Sequence, residues 1–242
     1  MKKTFFIFTC LFVYTISMNA QALYNVLSEE EKGQGWILLF NGENLDGWTS
    51  VGKDTQPEKG WTVEDGVITV NKGGPQRGGD IITKDQFSEF DLYFEFKLTK
   101  AANGGLKYFF TRYEKGGWLG NEFQVLDDDF HPDAKAGRDG NRKTGSLYDM
   151  LPTTGEKTMK PTGEWNSARI LVEGSKVTHY LNGQEILSYD LNSKEYEEAW
   201  KLSKFKDSEP MFGKVGKGHI FLQDHQDEVS YRNMKIRDLS KK

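Results

Sequence analysis

The feature that most constrains this chain is an alternation of apolar and polar side chains with a period of two. The stretch FDLYFEFKL, residues 90–98, places five apolar side chains on one side of an extended backbone and four polar or amphipathic ones on the other. One face of such a strand packs on a core and the other meets solvent. Similar short segments recur, namely GLKYFFTRY, NEFQVLD, SARILVEG, KVTHYLNG, QEILSYDL, GHIFLQDH and VSYRNMKI. The pattern predicts an all-β protein.

Turn and helix signals agree with this prediction. Asp65-Gly66 and Asn182-Gly183 lie between apolar runs and predict tight hairpins. One helix is predicted from about Lys194 to Phe205 with Ser193 as its N-cap, and Ser28-Glu-Glu-Glu31 forms a capping box for a short helical turn. Roughly ten evenly spaced short strands, without an internal repeat, predict a single β-sandwich or jelly-roll domain.

The first 22 residues have the pattern of a secretory signal peptide. Lys2 and Lys3 precede the apolar run Phe5 to Ile16, and Ala20-Gln21-Ala22 matches a small-x-small cleavage site. A transmembrane anchor is the alternative, but the run is shorter than the roughly 18 apolar residues that span a bilayer. We therefore expect an exported, periplasmic or extracellular protein whose single domain covers residues 23–242.

Charge and cysteine content exclude some function classes. Without the signal peptide the chain has 30 basic and 36 acidic side chains, a net charge of −6, and no cysteine. Its stability must therefore come from an ordinary core, since no disulfide can form. An acidic chain without basic clusters is a poor nucleic-acid binder, because such binding depends on neutralising phosphates.

The stretch LDDDFHPDA, residues 126–134, has the composition of a metal site but not the spacing. Zinc needs more nitrogen or sulfur ligands than His131 alone, and a calcium loop needs alternate oxygens and a glycine at its sixth position. Aspartates before a proline more often accept hydrogen bonds from loop amides. The following GRDGNRKTGSLYDM extends a long loop in which Arg138, Arg142 and Tyr148 are candidates for holding polar substrate groups.

Polar side chains on the outer faces of neighbouring strands form a candidate site. In NEFQVLD, Phe123 and Val125 point inward while Glu122 and Gln124 point outward. For any single residue an ordinary solvated strand face is the simpler interpretation. As a group, the polar side chains on these neighbouring strands would make an unusual surface. They are Lys107, Glu122, Gln124, His179, Gln223 and His225.

Several stretches carry a resemblance to a known family. LLFNGENLDGW, NEFQVLDDDFHPDAKAGRDGNRKTGSLYDM, EWNSARI, VTHYLNG and IFLQDHQDEVSYRNMKIRDL resemble the 3-keto-disaccharide hydrolase domain, over about Gly35 to Leu239. The resemblance implies a concanavalin A-like lectin/glucanase sandwich. It also implies an enzyme acting on glycosides already oxidised to the 3-ketone, with 1,2-lyase and hydratase activities.

The chemistry that the resemblance implies suits these residues. A ketone at C3 acidifies the C2 hydrogen, so a base can form an enolate that expels the C1 substituent, and water then adds to the glycal. Retaining glucanases of this fold carry an E-x-D-x-x-E pattern, but here the strand has Glu122, Gln124 and Asp127. Gln124, an amide, occupies the position of the middle acid, which disfavours a double displacement that needs two carboxylates.

The resulting hypotheses give each residue a role. Glu122 or His179 is the base at C2, and Lys107 or Arg112 stabilises the enolate oxygen. Tyr148, Gln223 and His225 bind hydroxyls or serve as the acid, and Trp118 is either a sugar-stacking platform or an ordinary hydrophobic residue at the rim. The further substrate-binding or wall candidates are Gln124, Asp80, Arg142 and His131. A divalent metal ion held by Glu122 and a histidine is a further alternative, as a cofactor. The competing functions are a non-catalytic carbohydrate-binding module and a conventional glycosidase.

Overall fold

A computed structural model describes residues 24–71 and 78–240, so the predicted signal peptide lies outside the described residues. Thirteen strands and two α-helices are present in this part of the chain. The strands are β1 Trp36–Leu38, β2 Trp48–Ser50, β3 Trp61–Glu64, β4 Val67–Val70, β5 Ile81–Phe87, β6 Phe90–Leu98, β7 Asn103–Tyr113, β8 Gly117–Leu126, β9 Trp165–Glu173, β10 Lys176–Leu181, β11 Gln184–Asp190, β12 Gly218–Leu222 and β13 Val229–Asp238. The helices are α1 Glu29–Gly33 and α2 Lys194–Lys201, and a 3₁₀ turn covers Pro132–Lys135.

The strands form two antiparallel sheets that pack face to face. The larger sheet has the order β11-β10-β9-β6-β13-β4-β3, with β1 added on β13, and the smaller has the order β2-β5-β12-β7-β8. Apolar side chains from both sheets fill the space between them, and Phe94 of one sheet packs edge-to-face on Phe123 of the other. The predicted all-β jelly-roll sandwich is confirmed.

The local sequence signals are confirmed in detail. Strand β6 occupies the predicted residues, and its five apolar side chains are buried. Asp65-Gly66 and Asn182-Gly183 take positive φ angles and join β3 to β4 and β10 to β11. Both bonds of the capping box at Ser28 are made.

The predicted second helix is shorter than expected. Ser193 caps α2 as predicted by accepting the Tyr196 amide, but the helix ends at Lys201 instead of Phe205. Beyond it the chain turns back, because the Trp200 indole donates a hydrogen bond to the Phe205 carbonyl. The Phe205 ring stacks on Phe212 with centroids 4.2 Å apart, which anchors this segment beside the smaller sheet. Across the described ranges, no helix is long and apolar enough to cross a membrane.

Candidate active site

The outer face of the smaller sheet carries the site. Strand pairing places Ile82, Phe221, Lys107 and Glu122 side by side on four adjacent strands. Because side chains alternate along each strand, all four point away from the core. At the Glu122 end of this row the face deepens into a cavity of about 500 Å³, which we call the Glu122 cavity.

A carboxylate and an ammonium group meet on the floor of this cavity. The Lys107 Nζ lies 3.5 Å from Glu122 Oε2, and the Glu122 side chain is only 7% exposed. The same ammonium lies 4.5 Å from the centre of the Phe221 ring, a distance at which a cation–π contact forms. The pair therefore places a base and a cation within reach of one bound ligand.

Two amides line the cavity with unsatisfied oxygens. Gln124, 1% exposed, and Asn103, 6% exposed, both border the cavity. Within the described part of the chain neither side-chain oxygen has a hydrogen-bond partner. Buried polar atoms are normally paired, so acceptors left open beside a cavity are typical of a site for a ligand rich in donors, such as hydroxyl groups.

The long loop after β8 forms one wall, because it adds to the free edge of that strand. Its backbone exchanges hydrogen bonds with β8, including Gly145 N to Gln124 O at 2.9 Å and Tyr148 N to Glu122 O at 3.0 Å. This pairing fixes Tyr148 beside Glu122. The Tyr148 hydroxyl donates a hydrogen bond to Asp133 at 2.9 Å. Burial raises the pKa of this phenol most, and the neighbouring Asp133 carboxylate raises it further, so the hydroxyl stays neutral.

Arg142 stands behind this wall and does not line the cavity. It binds Asp133 at 2.9 Å and Asp149 at 2.7 Å, so its guanidinium fixes the carboxylate that holds Tyr148. Asp149 also accepts the backbone amide of Lys204 at 2.8 Å. Arg142 was predicted to bind substrate, but the structure makes it the link between the loop and the segment after α2.

That segment supplies cavity residues that the sequence did not reveal. Lys204 and Phe205 line the cavity beside this loop, and the Lys204 ammonium lies 4.3 Å from the centre of the Tyr148 ring. Desolvation lowers the pKa of Lys204; the Glu122 carboxylate opposes this shift and the Lys107 ammonium adds to it. Asn103 was also missed. No local pattern marks any of these three residues as part of a site.

The end of β12 supplies the third wall. Gln223 and His225 line the cavity as predicted, and His131 faces His225 across the rim with ring centroids 6.2 Å apart. Asp80 does not line the cavity, but it accepts the amide of Asp224 at 2.9 Å and so holds the turn between Gln223 and His225.

Comparison with known proteins assigns the family. The sequence-family model of the 3-keto-α-glucoside-1,2-lyase-like domain matches residues 35–237. The chain belongs to this family. The predicted family is thereby confirmed, and with it the prediction of an enzyme.

Individual relatives agree with the assignment. A 3-keto-disaccharide hydrolase of Bacteroides thetaiotaomicron is 38% identical over 230 residues, which cover 85% of this chain and 79% of that protein. A provisionally named glycosyl hydrolase from Parabacteroides distasonis is 33% identical with a TM-score of 0.77, covering 90% of this chain and all of that one. A second such structure from the same organism is 27% identical with a TM-score of 0.65, over 84% of this chain and 99% of that one.

His179 does not lie at this family member's cavity. It was predicted as an alternative base, but it is fully buried between the sheets. Its strand belongs to the larger sheet, and its side chain shares the inner face with Val177 and Leu181. Its ring donates from Nδ1 to the Gly145 carbonyl at 2.9 Å and pairs through Nε2 with Tyr108 at 2.8 Å. Burial lowers the pKa of His179 to about 4, so it is neutral at physiological pH.

Two further candidates lie at the other end of the same face. Arg112 is exposed and pairs across the strands with Trp118, and neither borders the Glu122 cavity. The alternative in which Arg112 stabilises an enolate oxygen at Glu122 therefore does not agree with its position. Trp118 borders a separate hollow.

The aspartates after β8 are scaffold. Asp127 accepts the amides of Ala101 at 2.7 Å and Asp129 at 3.2 Å, and Asp128 accepts that of Thr144 at 2.8 Å and binds Lys157 at 2.5 Å. This is the loop-amide role that the sequence predicted. Among residues 24–71 and 78–240, no three histidine, cysteine, aspartate or glutamate side chains are grouped as metal ligands.

Gly105 is required for the position of the Glu122 carboxylate. It lies opposite Gln124 on β7, and a Cβ built on it would fall 2.4 Å from Glu122 Oε1. We expect Gly105→Ala to push the carboxylate aside and lower kcat/KM roughly 100-fold, in line with the contribution of a positioned base. The melting temperature should change little, since only the end of a flexible side chain must move. Gly33→Ala, where nothing lies within 4 Å, is the matched control. Full activity of Gly105→Ala would contradict this role.

Proposed function

We propose that this protein cleaves 3-keto-glycosides by removing the C2 proton and eliminating the C1 substituent. The observation that carries the proposal is the Glu122–Lys107 pair, 3.5 Å apart on the floor of a cavity bordered by open hydroxyl-binding groups. The names of the matched family and of the Bacteroides relative support the substrate class.

The first step is a proton transfer. The Glu122 carboxylate takes the hydrogen from C2, and the electrons of that C–H bond form the enolate of the C3 ketone. The enolate oxygen gains negative charge, which the Lys107 ammonium stabilises. A positioned base of this kind contributes about 10²–10⁴-fold to the rate.

The second step breaks the glycosidic bond. The enolate collapses, a C1–C2 double bond forms, the C3 ketone is restored, and the C1–O bond pair leaves with the leaving group. That oxygen takes a proton from a donor on the cavity wall, for which His225 is the candidate. Addition of water across the double bond returns a free 3-keto sugar, so the sum of both reactions is hydrolysis.

A conventional glycosidase mechanism has less support at this cavity. It needs a second carboxyl group facing Glu122, and Asp133 is the other carboxylate on the lining. Both Asp133 oxygens are already engaged, one by Arg142 and the other by the Tyr148 hydroxyl. A carboxylate held in this way is poorly placed to act as an acid or a nucleophile.

The experiment uses paired substrates. We expect purified protein to convert methyl 3-keto-α-glucopyranoside, with methanol release followed by NMR, and to leave methyl α-glucopyranoside unchanged. Turnover of the unoxidised glycoside alone would identify a conventional glycosidase, and turnover of neither would favour a binding module. Parallel reactions with a chelator, and with divalent metal restored, decide the metal dependence that the sequence left open.

We also propose that the enzyme acts after export, on the basis of the signal-peptide pattern in residues 1–22. N-terminal sequencing of the mature protein from a bacterial expression host should give Leu23 as its first residue. An intact N-terminus on the soluble protein would contradict export by this route.

A further inference from the structure

A second hollow lies on the same outer face as the Glu122 cavity. It has a volume of about 310 Å³, and we call it the Trp118 hollow; its lining includes Thr49, Ile82, Lys84, Trp118 and His219. Trp118 precedes Glu122 by four residues on β8, so both side chains leave the same face of one strand. His219 of β12 likewise precedes Gln223, which directly follows that strand, by four residues.

Aromatic rings join the two hollows without a break. Trp118 stacks on Phe110 with centroids 5.6 Å apart and planes 19° apart, and Phe110 packs on Phe221 with centroids 4.3 Å apart. Phe221 in turn lies beneath the Lys107 ammonium. Phe110 and Phe221 are buried, so this aromatic cluster is a common support beneath both the Lys107 ammonium and the Trp118 indole.

This arrangement exists because β7 contains a bulge. Phe109 takes a positive φ of 52°, and the register of β7 with β8 shifts between Tyr108 and Thr111. Phe109 consequently faces the core, where it packs on Phe90, while Phe110 faces outward under Trp118. Bulges commonly re-aim side chains beside functional sites.

The Trp118 hollow has the properties of a binding subsite and not of a second catalytic centre. Its histidine is already satisfied on both nitrogens, because His219 Nδ1 donates to the Thr83 carbonyl at 2.6 Å and Nε2 accepts from Gln86 at 2.9 Å. Trp118 is 37% exposed although it is large and held rigidly by Phe110. A rigid, exposed indole with polar neighbours suits a ligand that has both apolar faces and polar edges, as a sugar ring has.

Spacing connects this ligand to the reaction. Four residues of extended strand, about 13 Å, separate Trp118 from Glu122. The side chains come closer than the backbone does, because the Phe110 ring lies 5.6 Å from the Trp118 ring and 5.9 Å from Lys107 Nζ, so a sugar linked directly to a ring in the Glu122 cavity can contact the indole. We propose that the Trp118 hollow holds the leaving-group sugar of a 3-keto-disaccharide while the oxidised ring occupies the Glu122 cavity. This proposal rests on the function proposed above. The preferred substrates are then disaccharides instead of glycosides with a small leaving group.

The test compares one-ring and two-ring substrates. The probes are methyl 3-keto-α-glucopyranoside and maltose oxidised at C3 of its non-reducing ring. We expect Trp118→Ala to lower kcat/KM about tenfold for the oxidised maltose and less than about twofold for the methyl glycoside, and Trp118→Phe to restore most of the loss. Trp165→Ala, on the opposite sheet, is the matched control. Equal losses on both substrates, or no loss on either, would overturn the subsite.

A binding measurement separates failure of the subsite from failure of the proposed function. Unoxidised maltose is titrated into ¹⁵N-labelled wild-type protein, and the indole N–H signal of Trp118, assigned from Trp118→Phe, is followed by NMR. A saturable shift supports the subsite even if no 3-keto substrate is turned over. An unchanged signal at saturating maltose, in a protein that does turn over the methyl glycoside, refutes the subsite and leaves the proposed function standing.

Discussion

Replacement of Glu122 by glutamine is expected to lower kcat/KM on a 3-keto-α-glucoside by about 10²–10⁴-fold. The substitution keeps the size of the side chain and removes its capacity to accept the C2 proton. Because the glutamine amide oxygen can still accept a hydrogen bond from Lys107, whose side chain is 19% exposed, the melting temperature should change by only a few degrees. Exchange of the C2 hydrogen for deuterium in heavy water, followed by NMR, measures the proton transfer itself and should fall in parallel.

Glu95→Gln is the matched control for this variant. Glu95 is also a partly buried glutamate paired with a cation, Arg232 at 2.6 Å, but it lies on the outer face of the opposite sheet. It should retain full activity. If Glu122→Gln kept more than a tenth of the wild-type rate, or kept the deuterium exchange, the base would be another group.

The fold was readable from the sequence because its signals are local. Period-two alternation and the two hairpin turns depend on residues that are neighbours in the chain, and β6 occupies the residues that its pattern predicted. The same alternation correctly placed Glu122, Gln124 and Gln223 on an outer face bordering one cavity. Facing direction within a strand is thus predictable.

The error at His179 came from giving the polarity of one ring more weight than the alternation of the residues around it. Its polar ring suggested an outer face, but the apolar residues at ±2, Val177 and Leu181, mark that face of β10 as core. Lys204 was not predicted, for a different reason. A hydrogen bond from its backbone amide to Asp149 holds it at the cavity, and the chain carries no local pattern for such a contact between distant segments. Gly105 did carry a signal, since a glycine within a strand often marks a close approach.

Substitution of His179 is the variant with the largest expected effect on stability. We expect His179→Phe to destabilise the fold by about 1–3 kcal/mol at pH 7, because the buried Gly145 carbonyl loses its donor. That carbonyl belongs to the loop segment paired with β8, so the wall bearing Tyr148 should loosen as well. Urea unfolding at pH 7 measures the cost.

The pH dependence of this cost identifies its cause. The pKa of His179 falls from 6.5 in the unfolded chain to about 4 in the folded one, so the unfolded state binds more protons between these values. The stability from the neutral ring is complete above pH 6.5 and is lost as the pH falls through 4. The free energy of unfolding of wild type should therefore fall by about 3 kcal/mol relative to that of His179→Phe between pH 6.5 and 4, which cancels or reverses the advantage of wild type. Val177→Ala, on the same strand and face, should be destabilised equally across that range. A constant difference between wild type and His179→Phe would mean that His179 is not held neutral in the core.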